Sequence, residues 1–216
     1  MKPKIIIFDF DGTLGDTRHN IVVTLQATMR DRGLEVRSEE VCAATIGLTL
    51  YDSFRTMYPD MSDTEAEACV RHYRDIFYKS VEESIPKLFD GVASTLERLS
   101  ELGIVMTIAS SRSTPSLLLF IRSMGIKHHF SLVLGSDSVE NHKPHPEAVS
   151  KTLEKLGFKP SEALVVGDMP VDILMARNAS TRSVGVSYGN ATREELEAAG
   201  ADFVIDNFAE LLNILE

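Results

Sequence analysis

Apolar residues along this chain follow two rhythms, and the order in which they alternate sets the first constraint on its architecture. Ile5 to Phe8 is an unbroken apolar run that reads, with Asp9, as a buried strand. Ile21, Leu25 and Met29 then recur every fourth position within 17–32, the period of a helix. Shorter helices are expected over Glu39 to Ala44 and Tyr51 to Met57. Ser62-Asp-Thr-Glu65 has the form of a capping box, and Cys69, Tyr73, Ile76, Phe77 and Val81 follow it at a period near 3.6. From Asp90 the pattern changes. Val92, Leu96, Leu99 and Leu102 make a helical stripe ending at Gly103, and Ile104 to Ala109 reads as a strand. Thr114-Pro115 opens a helix, Leu132 to Leu134 is a short strand, and Pro146 opens a helix carrying Val149, Leu153 and Leu156 before Gly157. Ala163 to Val166 is an apolar run ending in Gly167-Asp168, Ser183 to Val186 and Phe203 to Ile205 are the last strands, and Phe208 to Leu215 is a closing helix.

Strand and helix in repeated alternation, with strands apolar throughout, predict an α/β fold built on a doubly wound parallel sheet. The helix-only stretch stands outside that alternation. It reads as an inserted helical cap over 17–84, with the α/β core formed by 1–16 and 85–216 and linkers after Gly15-Asp16 and before Pro86.

Composition narrows the class without choosing an activity. An apolar fraction of 44% and a charged fraction of 25% are ordinary for a globular chain. The net charge of −10 argues against nucleic acid as a partner while leaving room for a small anion met by local positive charge or a metal. No run approaches a membrane span, and Ile5 to Phe8 is too short for a signal-peptide core. Cys42 and Cys69 form neither a disulfide framework nor a metal-site spacing, so a reduced cytoplasmic setting is expected.

Ligands of open parallel sheets gather beyond the carboxyl ends of the strands. The residues predicted there are Asp9 and Asp11, Ser110 and Ser111, Lys143 in the loop before Pro146, and Asp168 with Asp172 four positions on. Acids, hydroxyls and one lysine at a single rim suit a divalent cation on oxygen ligands beside a phosphate, Mg2+ being the natural choice. In extended chain, Asp9 and Asp11 at i and i+2 point the same way, and two like charges so close raise one pKa unless a cation intervenes. Gly12 then allows a tight turn. Each of these residues alone also has a plain reading, as turn residue, helix cap or surface acid. His142 and His145 lack a third His or Cys nearby, which argues against zinc, and His128-His129 reads as a surface turn.

Four motifs occur in order: Asp9-Phe-Asp-Gly-Thr-Leu, the hydroxyl of Ser110 after the second core strand, Lys143-Pro-His-Pro-Glu, and Val165-Val-Gly-Asp-Met-Pro-Val-Asp172. This pattern resembles the haloacid dehalogenase superfamily of phosphohydrolases, and the helical insertion is similar to that family's small helical cap. The resemblance implies Asp9 as nucleophile, Asp11 as acid and base, and Lys143 offsetting charge. It further implies Mg2+ held by Asp9, the Asp11 carbonyl and Asp168, with Ser110, Ser111 and Gly12 around the phosphate and Asp172 orienting Lys143 or a metal-bound water. The dehalogenase branch resembles a pattern without the second aspartate. Sugar phosphomutases with this cap typically carry a His and an Arg where Ile21 and Leu50 stand. Ile46 to Phe54 is similar to the cap loop of phosphoglycolate phosphatases, though pyrophosphatases and nucleotidases look much alike there. The resemblance thus implies a phosphatase acting on a small phosphorylated metabolite, with a non-catalytic phosphate-binding module as the last alternative; a monomer or weak dimer is expected, and the acidic charge and lack of an apolar span argue against nucleic acid and membrane as partners. Met169 and Ser180 depart from the residues relatives often carry. The roles of Arg112 and of Leu48 to Asp52 stay open at this point.

Overall fold

The computed structural model describes residues 3–80 and 85–215. Val81, expected to extend the stripe of the long helix, and residue 84, the expected end of the insertion, lie outside the described residues. The central strand is β1 (Ile5–Phe8), and all four of its side chains are buried. Such β-branched and aromatic residues suit a pleated strand covered on both faces. β1 lies between β4 (Val105–Ala109) and β6 (Ala163–Gly167), with β5 (Phe130–Leu134) outside β4 and β7 (Arg182–Val186) and β8 (Phe203–Ile205) outside β6. All the pairings in this six-stranded sheet are parallel, in the order β5-β4-β1-β6-β7-β8. The chain builds outward from β1 on one side, then resumes on the other. Beside β1 it therefore leaves a switch point, where such sheets bind ligands.

Alternation within β1 serves two layers of helices. Ile6 and Phe8 join a cluster with α5 (Val92–Glu101), α6 (Thr114–Ser123) and α10 (Leu211–Ile214), which a short 3-10 turn at Phe208–Glu210 precedes. Ile5 and Ile7 face α7 (Glu147–Leu156) and α8 (Pro170–Asn178) through Val149, Leu153, Met175 and Ala176. α9 (Arg193–Ala198) buries Leu196 in a small satellite cluster with Ile173 and Ala191.

The insertion comprises α1 (Arg18–Asp31), α2 (Glu39–Ala43), α3 (Leu50–Met57) and α4 (Asp63–Ser80). The expected box opens α4: Glu65 N–H donates to Ser62 Oγ at 3.3 Å, and the Glu65 carboxylate accepts from Ser62 N–H at 3.1 Å. Leu25, Met29, Phe54, Cys69, Tyr73 and Phe77 turn inward and belong to the same buried cluster as Ile6 and Phe8. Apolar contact is therefore continuous from the sheet into the insertion. The two linkers are themselves paired: β2 (Gly15–Asp16) runs antiparallel to β3 (Lys87–Leu88), so exit and return are tied together.

Some boundaries shift. β5 begins two residues before the expected Leu132, at Phe130, which pairs with Met106. Leu102 is 38% exposed beyond the end of α5, so the buried stripe ends at Leu99. α8 and α9 were not foreseen as elements.

Candidate active site

The rim is built by letting β1 run one residue past its last ladder position. Asp9 N–H still donates to Val166 O at 2.8 Å, holding the backbone extended. The chain then folds back, with Leu14 and Gly15 N–H both donating to Phe10 O at 3.0 Å. Gly12 sits in this turn at φ 84°, and a Cβ there would stand 2.1 Å from Asp168 Oδ2. No other residue type satisfies both the left-handed backbone and that approach.

Asp9, Lys143, Asp168 and Asp172 converge and are buried together. Lys143 Nζ donates to Asp9 Oδ1 at 2.5 Å and to Asp172 Oδ1 at 2.6 Å. Its loop is held by Asn178 Nδ2 donating to Pro144 O and by the Glu147 carboxylate, which accepts from Glu140 and Asn141 N–H. Asp172 occupies the first turn of α8 and reaches back to accept from Met169 N–H at 3.1 Å. Gly167 makes room for that return, since a Cβ there would lie 2.3 Å from the Asp172 Cβ. Asp168 accepts from Thr13 Oγ1 at 3.2 Å and, on its other oxygen, from Asn190 N–H and Nδ2, each at 2.8 Å.

The charges in this cluster do not cancel. Oxygens of Asp9, Asp168 and Asp172 lie within 4.8 Å of one another, with Lys143 the cation bonded among them. Burial works against the Lys143 charge, but Asp172 and Asp9 outweigh it and push its pKa up. Burial raises Asp9 well above its ordinary value, against the pull of Lys143. Burial, then the charge of Asp172, pushes Asp168 up to about 7. Three buried acids with one ammonium form a hard-oxygen donor set with surplus negative charge, and a small divalent cation fits it.

Asp11 is directed elsewhere. Its carboxylate accepts from Arg112 Nε at 3.1 and 3.0 Å and from Arg112 Nη2 at 2.7 Å. Arg112 Nη1 donates to Ser116 Oγ at 2.8 Å, and the guanidinium lies 4.7 Å from the Phe120 ring centre and 5.5 Å from that of Phe77. Arg112, whose role the sequence left open, forms a bidentate pair with Asp11. Ser110 N–H extends the β4–β5 ladder to Leu134 O, and its Oγ accepts from Arg112 N–H at 3.2 Å. Ser111 Oγ donates to Gly47 O at 2.6 Å and so links the rim to the insertion. The first amide of α6 is already engaged, Thr114 N–H donating to Asp137 Oδ1 at 2.6 Å.

A cavity of about 280 Å3 lies between rim and insertion. Asp9, Asp11, Ser110, Ser111, Arg112 and His142 line its core side. Leu48, Thr49, Leu50 and Tyr51 line it from the insertion, as does Ile21, and Arg74 of α4 adds a cation. The expected loop is therefore a wall of the cavity, except that Asp52 turns to accept from Thr49 Oγ1 at 2.6 Å. His145 Nδ1 accepts from Glu147 N–H at 3.3 Å. Among the described residues, neither His142 nor His145 belongs to a group spaced to hold a metal. Thr13 and Asn190 escaped the sequence reading. Asn190 follows β7, and the strand-end rule that found Asp168 would have reached it.

A family model described as haloacid dehalogenase-like hydrolase matches residues 6–186. The chain belongs to the haloacid dehalogenase-like hydrolases. It is similar to a phosphoglycolate phosphatase of Vibrio vulnificus, 34% identical over 98% of this chain and 96% of the relative. A pyrophosphatase of Bacillus pumilus is 31% identical over 97% of this chain and 95% of its own length. The crystal structure of a haloacid dehalogenase-like hydrolase from Bacteroides fragilis superposes with a TM-score of 0.93 at 28% identity, covering 97% of this chain and all of that one. A haloacid dehalogenase-like core thus accounts for the order of the four motifs, each delivered to the rim by a strand end or by the loop beside it.

Proposed function

We propose that this protein is a magnesium-dependent phosphatase that hydrolyses a small organic phosphate monoester through an aspartyl-phosphate on Asp9. The observation that supports it is the convergence of Asp9, Lys143, Asp168 and Asp172 at one rim, with Asp9 lining a cavity of about 280 Å3. That volume favours a small substrate, near the low end of the about 300–1,000 Å3 usual for ligand pockets.

In this reading an Asp9 oxygen bonds to phosphorus as the ester P–O bond breaks, and the electron pair leaves on the alcohol oxygen. Asp11 gives that oxygen a proton. It then takes one from the water that attacks the aspartyl-phosphate, which restores Asp9 and releases inorganic phosphate. Lys143 keeps Asp9 oriented and offsets phosphoryl charge, and Asp172 holds Lys143 in place. Asp9, the Asp11 carbonyl and Asp168 are the groups that would hold Mg2+, with Asp172 beside them; the ion supplies charge neutralisation for the transferring group.

The relatives' names bear on the substrate. Phosphoglycolate carries a carboxylate one carbon from its ester, and pyrophosphate carries a second phosphoryl group, so each is small and has two anionic ends. Phosphoglycolate is the leading reading here and pyrophosphate the second. Purified protein with Mg2+ should release inorganic phosphate from phosphoglycolate, and EDTA should stop it. Release from pyrophosphate alone would move the assignment to the second reading. No release from phosphoglycolate, pyrophosphate or an aryl phosphate would overturn the reading altogether.

A further inference from the structure

Asp11 is the residue this chemistry requires beside the leaving oxygen, yet both of its oxygens are taken by Arg112. The two partners are not equally free to move. Arg112 is held at Nη1 by Ser116, lies against Phe77 and Phe120, and its side chain is 9% exposed. Asp11 is a short side chain on a turn at the mouth of β1. Arg112 is therefore the fixed fork and Asp11 the partner that can rotate away. A buried guanidinium does not give up a bidentate carboxylate for nothing, because a charge left unpaired out of water is costly. Another planar or tetrahedral anion can take its place, since the fork of N–H groups matches carboxylate and phosphate alike.

Resting on the phosphatase reading above, we propose that Arg112 binds a second anionic group of the substrate and thereby releases Asp11 for proton transfer. The cavity supports this exchange, because Asp9, Asp11 and Arg112 all line it, on the same side. A substrate with its phosphoryl group at Asp9 and another anion a few bonds away reaches the fork as Asp11 swings out. A monoester with a neutral tail offers the fork nothing and leaves Asp11 bound. Specificity then arises from the pairing that a poor substrate fails to replace. The substrate class is accordingly small monoesters bearing a carboxylate or second phosphate close to the ester.

The test compares kcat/KM for phosphoglycolate and ethyl phosphate, with Mg2+ present, in wild type, Arg112→Lys, Arg112→Met and Arg74→Gln. Wild type should favour phosphoglycolate by at least about tenfold. The preference should shrink in Arg112→Lys, which keeps charge but loses the fork, and vanish in Arg112→Met. Arg74→Gln, altering the cavity's cation on the insertion side, should keep it. Equal use of both substrates by wild type, or a preference that survives in Arg112→Met, overturns the proposal. So does a preference lost only in Arg74→Gln, which would place the second anion on the insertion. A binding arm covers poorly folded or inactive variants: calorimetry with phosphonoacetate and methylphosphonate, neither hydrolysable, should show the preference in wild type and its reduction in Arg112→Lys. If wild type releases no phosphate from any substrate, the phosphatase reading fails, and the calorimetric comparison still decides the role of Arg112.

Discussion

Lys143 places one positive charge between two buried carboxylates, bonded to Asp9 and Asp172 at 2.5 and 2.6 Å. Its removal and the removal of Asp9 should therefore have opposite effects on the fold. Lys143→Met strands Asp9 and Asp172 without a cation and should cost about 3–5 kcal/mol of stability, along with turnover. Asp9→Asn removes a charge that burial already disfavours, so the metal-free fold should be no less stable than wild type. Turnover should nonetheless fall by at least about a thousandfold, since no carboxylate remains to bond to phosphorus. Urea unfolding alongside phosphate release checks both. An Asp9→Asn protein that keeps its turnover would remove the nucleophile from the scheme.

Most elements that begin and end in water were legible to within a residue or two, because hydrophobic period and capping residues are local signals. α4 is the clearest case, announced by Ser62 and Glu65 before its first apolar position. α9 carries a similar signal that the sequence reading passed over: Thr192 Oγ1 accepts from Glu195 N–H at 3.3 Å, and Glu195 accepts from Thr192 N–H at 2.8 Å. With only six residues and Leu196 as its one buried side chain, α9 has too little periodicity to show otherwise. Its box should matter in proportion. Thr192→Ala should cost about 1 kcal/mol of stability and leave kcat/KM unchanged, measurable by urea unfolding and phosphate release. A loss of activity comparable to that of the rim variants would show that α9 positions the Asn190 loop. At the rim the legibility is uneven for a physical reason. Strand ends place Asp9, Ser110 and Asp168 whatever their partners are. Which side chain then bonds which depends on contacts such as Asp11 with Arg112, 101 positions apart, that no periodicity encodes.

Core and insertion are joined at three levels in this structure. They share a buried cluster, a two-stranded ribbon at the linkers and the bond from Ser111 to Gly47. Stability of the whole should then respond to the rim, where several buried charges meet. Asp168 is held at about 7 in the fold against an ordinary 3.8, by burial and then by Asp172. Between about pH 4 and 7 the folded chain thus keeps a proton that the unfolded chain has lost. The sign follows: this group's contribution to stability falls as pH rises through that window, and Asp9, also raised, acts in the same direction. A divalent cation reverses the effect, because it binds the ionised acids and must displace protons to do so at low pH. Metal-free protein should therefore melt at a lower temperature at pH 8 than at pH 5.5. Added Mg2+ should raise the midpoint more at pH 8 than at pH 5.5. Wild type alone does not separate this cluster from the rest of a chain of net charge −10, so the control is Asp168→Asn. It should lose most of the Mg2+ gain at pH 8 and flatten the metal-free pH dependence. A Mg2+ gain equal at both pH values, or undiminished in Asp168→Asn, would mean that the ion binds elsewhere on the acidic surface, leaving Asp9 and Asp172 to hold Lys143 and Asp168 to its bonds with Thr13 and Asn190.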